Sequence, residues 1–197
     1  MARRSGTAYR VVRRLARLLV RLLYRLQVEG AERLPPRGSL IVVANHESVL
    51  DAVVLGAALG RELRFLTKAE LWRIPLLGRV LDALGGIAVE RGRGDLAALA
   101  RARDALEAGE AVALFPQGFV RREGPWQRGA ARLALATGAP LVPVRLVGTA
   151  HALARGRIGL PRLRVVVGAP IAVAPGPATV AAARELTARV RAAVDAL

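Results

Sequence analysis

The sequence predicts an α/β fold: a single domain with a mixed, largely parallel sheet flanked by helices, preceded by an N-terminal amphipathic helix. Three observations predict it. Apolar runs such as SLIVVA (39–44) and LRVVVG (163–168) are continuous rather than alternating, as in strands covered on both faces. These runs alternate along the chain with helical patterns, the order of an α/β domain. Hydrophobic residues make up 53% of the 197, enough for one sizeable core.

The first element is the stretch YRVVRRLARLLVRLLYRLQV (9–28). Val11, Val12, Leu15, Leu18, Leu19, Leu22, Leu23 and Leu26 recur at helical spacing, and Arg10, Arg13, Arg14, Arg17, Arg21 and Arg25 fall on the other side. Arginines every three or four residues exclude a bilayer span. No uncharged stretch is long enough for a secretory signal. Two readings remain open. The helix lies in a membrane interface with its arginines toward anionic head groups, or it docks on the domain's own core. LPPRG (34–38) ends the segment. That division makes 1–33 a basic, membrane-associating helix and 34–197 the main domain.

Strands are then expected at 39–44, 63–67, 86–89, 111–115, 141–147 and 163–168. Helices are expected between and after them, at 49–59, 76–84, 95–108, 128–137 and 178–195. The Pro/Gly-rich GAPIAVAPGPA (168–178) connects into the last helix. No internal repeat and no second domain are visible.

Charge bounds the partners. Basic residues number 31 against 15 acidic, a net +16, which suits a polyanionic partner: nucleic acid or an anionic membrane surface. Only seven aromatic side chains (two Trp, two Tyr, three Phe) could stack bases, which argues against single-stranded nucleic acid. There is no cysteine, so disulfides, thiolate metal sites and a Cys nucleophile are excluded. Two histidines make a His-rich metal site improbable, and no metal is expected. Lys68 is the single lysine; the excess of arginine itself reads as coding bias.

In α/β folds the chemistry collects in loops leaving the carboxyl ends of strands. NHESVLD (45–51) follows one strand, and FPQGFVRREG (115–124) follows another. His46 can take a proton from a hydroxyl, and a carboxylate that fixes its tautomer would strengthen it. Asp51 lies five residues on. In one continuous helix that offset is about 500°, splaying the two side chains by roughly 140°. They can meet only if His46 sits in the loop and Asp51 in the first helical turn. The plainer readings are a helix-start Asp and a satisfied loop His. Ser48 lacks a nucleophile-elbow context and suits a capping role better.

NHESVLD resembles the N-H-x4-D motif of the glycerolipid acyltransferases, the family of bacterial 1-acylglycerol-3-phosphate acyltransferase. Further blocks appear in order between about 38 and 150. FLTKAELWRIPLLGRVLDALGGIAVER (65–91) resembles the second block through Lys68, Glu70, Leu71, Pro75, Gly78, Gly86 and Arg91. LFPQGFVRREG (114–124) resembles the third, and GAPLVPV (138–144) the fourth, with Pro143. The resemblance implies His46 and Asp51 as catalytic residues. It implies substrate contacts from Asn45, Lys68, Arg91, Phe115, Pro116, Gln117, Gly118, Arg121, Arg122 and Pro143. Of these, Lys68 and Arg91 would hold a phosphate-type head group. For Phe115, Pro116, Gly118 and Pro143, loop shape and packing is the plainer reading.

The implied reaction is acyl transfer from acyl-CoA or acyl carrier protein to a lysolipid hydroxyl, with no cofactor and no acyl-enzyme. The implied location is the cytoplasmic face of a membrane, peripheral or monotopic. The third block departs from the family's F-P-E-G-T-R: Gln117 stands for Glu, Phe119 for Thr and Val120 for Arg, with Arg121 or Arg122 as a displaced guanidinium. A different lipid or glycolipid acceptor therefore stays open. So do an inactive relative, a hydrolase using His46 on water, and a basic nucleic-acid or membrane binder without catalysis.

Overall fold

The computed structural model describes residues 7–83, 86–90, 95–120, 124–154 and 157–197. The chain opens with α1 (Thr7–Tyr24) and β1 (Gln27–Glu29). It continues as β2 (Leu40–Ala44), α2 (Asp51–Ala58), β3 (Leu63–Lys68), α3 (Pro75–Ala83), β4 (Ile87–Val89), α4 (Leu96–Glu107) and β5 (Ala111–Leu114). Then come α5 (Gly129–Thr137), β6 (Leu141–Val147), α6 (Thr149–Ala152), β7 (Leu153–Ala154), β8 (Arg157–Ile158), β9 (Arg164–Val167) and α7 (Val180–Asp195).

Seven strands form one sheet in the order β1-β9-β6-β2-β5-β3-β4. Only the β6/β9 pair runs antiparallel. The sheet is therefore mixed and largely parallel. β7 and β8 make a separate antiparallel hairpin.

The continuous apolar strands are explained by cover on both faces. In β2, Leu40, Val42 and Ala44 point to one side, where they meet Val54 and Leu55 of α2 and Val20 and Tyr24 of α1. Ile41 and Val43 point to the other, against small side chains of α4, α5 and α7 such as Ala102, Ala131 and Ala183. All five β2 residues are fully buried. Each large apolar side chain so buried contributes about 1.5–3 kcal/mol, which pins the end of β2 and the loop that leaves it.

α1 is divided into three sectors. Val20 and Tyr24 are buried and dock the helix on α2. Val11, Leu15, Leu18, Leu19, Leu22 and Leu23 are exposed, Leu22 to 70%. Arg10, Arg14 and Arg21 are also exposed, between these sectors. The docking thus uses residues outside the apolar stripe seen in the sequence; among the described side chains of that stripe, Leu26 packs against the core. Among the described residues no helix is long and apolar enough to cross a membrane.

Sequence patterning did not foresee β1. It is three residues, Gln-Val-Glu, without an apolar run, and it lies inside the 1–33 segment. It becomes a strand by parallel pairing with β9, Val28 opposite Val165. The short helical turn Ala69–Arg73, α6 and the β7/β8 hairpin likewise carry no periodic signal long enough to read.

Candidate active site

The site is built where three neighbouring strands end. β2 and β5 run parallel with Val43 opposite Leu114. β2 and β6 run parallel with Val43 opposite Pro143. Their following loops therefore leave the same edge of the sheet side by side.

Residues 45–50 form the turn after β2, and α2 begins at Asp51. The loop wraps around the Asp51 carboxylate. Its Oδ2 accepts from His46 Nδ1 at 2.9 Å, from the Glu47 backbone N–H at 2.6 Å and from the Ser48 backbone N–H at 2.9 Å. Asp51 is fully buried and the His46 side chain is 13% exposed. Three donors converging on one oxygen hold the side chain rigidly. A proton donated from Nδ1 leaves the lone pair on Nε2, which makes no hydrogen bond among the described residues. Ser48 is buried, and its hydroxyl accepts from the Leu50 N–H at 3.3 Å. It closes the turn and is not presented as a nucleophile.

The β5 loop supplies the other neighbours of His46. The Phe115 ring stacks on the imidazole, centroids 4.3 Å apart and planes 16° apart. Phe65 stands behind Phe115 at 6.4 Å. The Gln117 side-chain oxygen accepts from the His46 backbone N–H. The loop itself is tied by Gly118 N–H to the Phe115 carbonyl at 3.0 Å and Gln127 N–H to the Pro116 carbonyl at 2.7 Å. Gly118 takes φ +76°, a conformation that favours glycine.

Two residues expected at the substrate serve the framework instead. Asn45 is buried and pairs with the Leu146 backbone: its oxygen accepts from the N–H at 2.7 Å and its amide donates to the carbonyl at 2.9 Å. That amide also donates to Glu47 at 3.2 Å. Pro143 is buried inside β6, where its carbonyl accepts from Gly168 N–H at 2.8 Å. Both side chains are buried in these positions. Leu146 and Phe65 were not anticipated, because their roles depend on which strands are neighbours.

Lys68 ends β3 and pairs with Glu70 at 3.3 Å, both side chains being about half exposed. The Glu70 carboxyl is held below the usual glutamate range, first by its own backbone N–H, with burial opposing, and then by Lys68 and Arg73. Among the described residues, Glu70, Ala69, Arg73 and Glu90 line a cleft beside Lys68. Gly86 leaves room for the Trp72 ring, which a Cβ would approach to 3.1 Å. Arg91, Arg121 and Arg122 lie outside the described residues.

The model of the Acyltransferase family matches residues 25–147, more than half of the chain. The chain belongs to the Acyltransferase family. The family match takes in both loops, with His46, Asp51, Phe115 and Gln117 all inside it. Among the relatives, the chloroplastic 1-acyl-sn-glycerol-3-phosphate acyltransferase of Brassica napus is 31% identical over 157 residues, 75% of this chain and 45% of that protein. The 1-acyl-sn-glycerol-3-phosphate acyltransferase of Borreliella burgdorferi is 31% identical over 127 residues, 62% of this chain and 51% of that protein. The chain thus spans about half the length of these relatives. The fold is that of the crystal structure of the 1-acyl-sn-glycerophosphate acyltransferase PlsC from Thermotoga maritima. Its TM-score is 0.75 at 24% identity, covering 100% of this chain and 82% of that one.

Proposed function

We propose that this Acyltransferase-family member is a membrane-associated O-acyltransferase. It moves a fatty acyl group from an acyl thioester, of coenzyme A or acyl carrier protein, to the hydroxyl of a lysophospholipid. The acceptor is of the 1-acyl-sn-glycerol-3-phosphate type, as in the names of the relatives. The observation that carries the reading is the 2.9 Å His46–Asp51 pair, with Nε2 left for a substrate proton.

In this reading His46 Nε2 takes the proton of the acceptor hydroxyl as its oxygen attacks the thioester carbonyl. Asp51 stabilises the imidazolium that forms and keeps the ring in the required tautomer. The tetrahedral intermediate collapses with cleavage of the C–S bond. The thiolate leaves and recovers the proton from the imidazolium, so ester and free thiol are the products. Lys68, Arg91, Arg121 and Arg122 are the cations proposed for the acceptor's phosphate.

The exposed apolar sector of α1 beside exposed arginines supports binding in an anionic membrane interface. Val49 and Val53 of the α2 region, on the element next to α1, are exposed too, at 65% and 45%. Coenzyme A and carrier-protein thioesters would be met on the cytoplasmic leaflet.

The test is thiol release from acyl-CoA and acyl carrier protein thioesters, with and without lysophosphatidate. His46→Ala is expected to lower acceptor-dependent release by about 100- to 10,000-fold, the range of a lost general base. Release that ignores His46, or that runs equally without acceptor, would refute transfer; the second result would mean hydrolysis. A panel of neutral, zwitterionic and glycolipid acceptors then ranks the alternatives raised by Gln117.

A further inference from the structure

We infer that Phe115 and Gln117 are positioning residues that fix the reactive nitrogen of His46 in space. One hydrogen bond to Asp51 fixes a direction but not a plane: the imidazole can pivot about the Nδ1···Oδ2 line. The Phe115 ring, parallel to the imidazole within 16° and 4.3 Å away, blocks that pivot. Phe65 at 6.4 Å backs Phe115 and keeps it from swinging aside.

Gln117 fixes the root of the same side chain. The β2/β5 ladder pairs residues 71 apart in sequence, Val43 with Leu114. His46 and Gln117 keep that separation of 71 after the backbone ladder has ended. The amide oxygen of Gln117 thus takes the place of the next backbone carbonyl and receives the His46 N–H. On the opposite side Asn45 does the same against Leu146 of β6. Two side-chain amides prolong the sheet and hold the peptide that carries the base, while Phe115 and Asp51 hold its ring. Phe115 and Gln117 act through His46, Phe115 on its ring and Gln117 on its backbone N–H.

The inference rests on His46 being the base, but one of its measurements does not. His46 and His151 are the two histidines, and His151 is exposed. NMR of the full chain, assigned with His151→Gln, is expected to show His46 ring protons upfield of those of His151, from the ring current of the stacked Phe115. Coincident shifts would overturn the clamp whatever the activity.

Phe115→Leu is expected to abolish the upfield shift and lower kcat by about 10- to 100-fold, with KM little changed, and Phe115→Tyr to recover most of it. Gln117→Leu is expected to lower kcat in the same way. Gln117→Glu, which still accepts the N–H, should recover it. Wild-type kcat in both leucine variants, losses confined to KM, or Gln117→Glu no better than Gln117→Leu would overturn the assignment. If Phe115→Leu does not fold, the wild-type spectrum and the Gln117 pair decide. If no acceptor is acylated at all, the proposed function fails and the ring-proton shifts alone decide the clamp.

Discussion

Asn45 is the single asparagine of the chain, and both ends of its side-chain amide are committed to Leu146. A carboxylate of the same shape would face the Leu146 carbonyl and the neighbouring Glu47 with no proton to give. Asn45→Asp is therefore expected to destabilise the fold by about 3 kcal/mol at neutral pH. The loss should shrink in acid, where the new carboxyl carries a donor again. Urea unfolding at two pH values checks this, and a neutral-pH midpoint equal to wild type would contradict it. Its neighbour His46 has the opposite character: the ring is held on one edge and one face, and Nε2 is the nitrogen proposed to take the substrate proton. Asp51→Asn removes the charge that stabilises an imidazolium, so it should cost at least about 100-fold in kcat while leaving acceptor KM close to wild type. Steady-state kinetics on the purified chain read that split.

At the scale of elements, the loop order strand–turn–helix decides whether His46 and Asp51 meet. α2 begins at Asp51 and not at 49, which brings the carboxylate back under its own loop. Elsewhere a side chain starts a helix directly. Asp95 caps α4, Oδ1 accepting from Ala98 N–H and Oδ2 from Glu90 N–H, each at 2.8 Å. The bond from Glu90 first, then that from Ala98, holds the Asp95 carboxyl below the usual aspartate range. A depressed pKa in the folded state means the stabilisation is complete above the ordinary aspartate value and is lost as pH falls through the folded one. Asn can accept only one of the two bonds. Asp95→Asn is expected to cost about 1 kcal/mol at neutral pH, a figure kept small by solvent screening. Denaturant midpoints of variant and wild type should converge in acid; a constant gap would show that the charge has no part in it.

For the whole molecule, a net charge of +16 and the exposed apolar sector of α1 are the two features behind the proposed membrane association. Vesicle flotation with phosphatidylglycerol should retain the wild-type chain and weaken as salt screens the arginines. Leu18→Glu with Leu22→Glu places charges on exposed positions, so the fold should survive while flotation is lost. Flotation unchanged in that variant would remove α1 as the anchor.

The sequence by itself determined the two-sided strands, the helices between them, the amphipathic α1 and a histidine and a carboxylate within one short stretch. These are local properties, written in periods of a few residues and in the chemistry of single side chains. Only the tertiary structure decided that the β2, β5 and β6 loops lie together, that β1 exists by pairing with β9, and that Val20 and Tyr24, not the leucine stripe, dock α1. The same holds for Gln117. As a letter it marked a missing charge; in the fold it is the acceptor for the His46 N–H. The physical reason is that strand order and register join residues about seventy or a hundred positions apart, and no local pattern specifies which strands become neighbours.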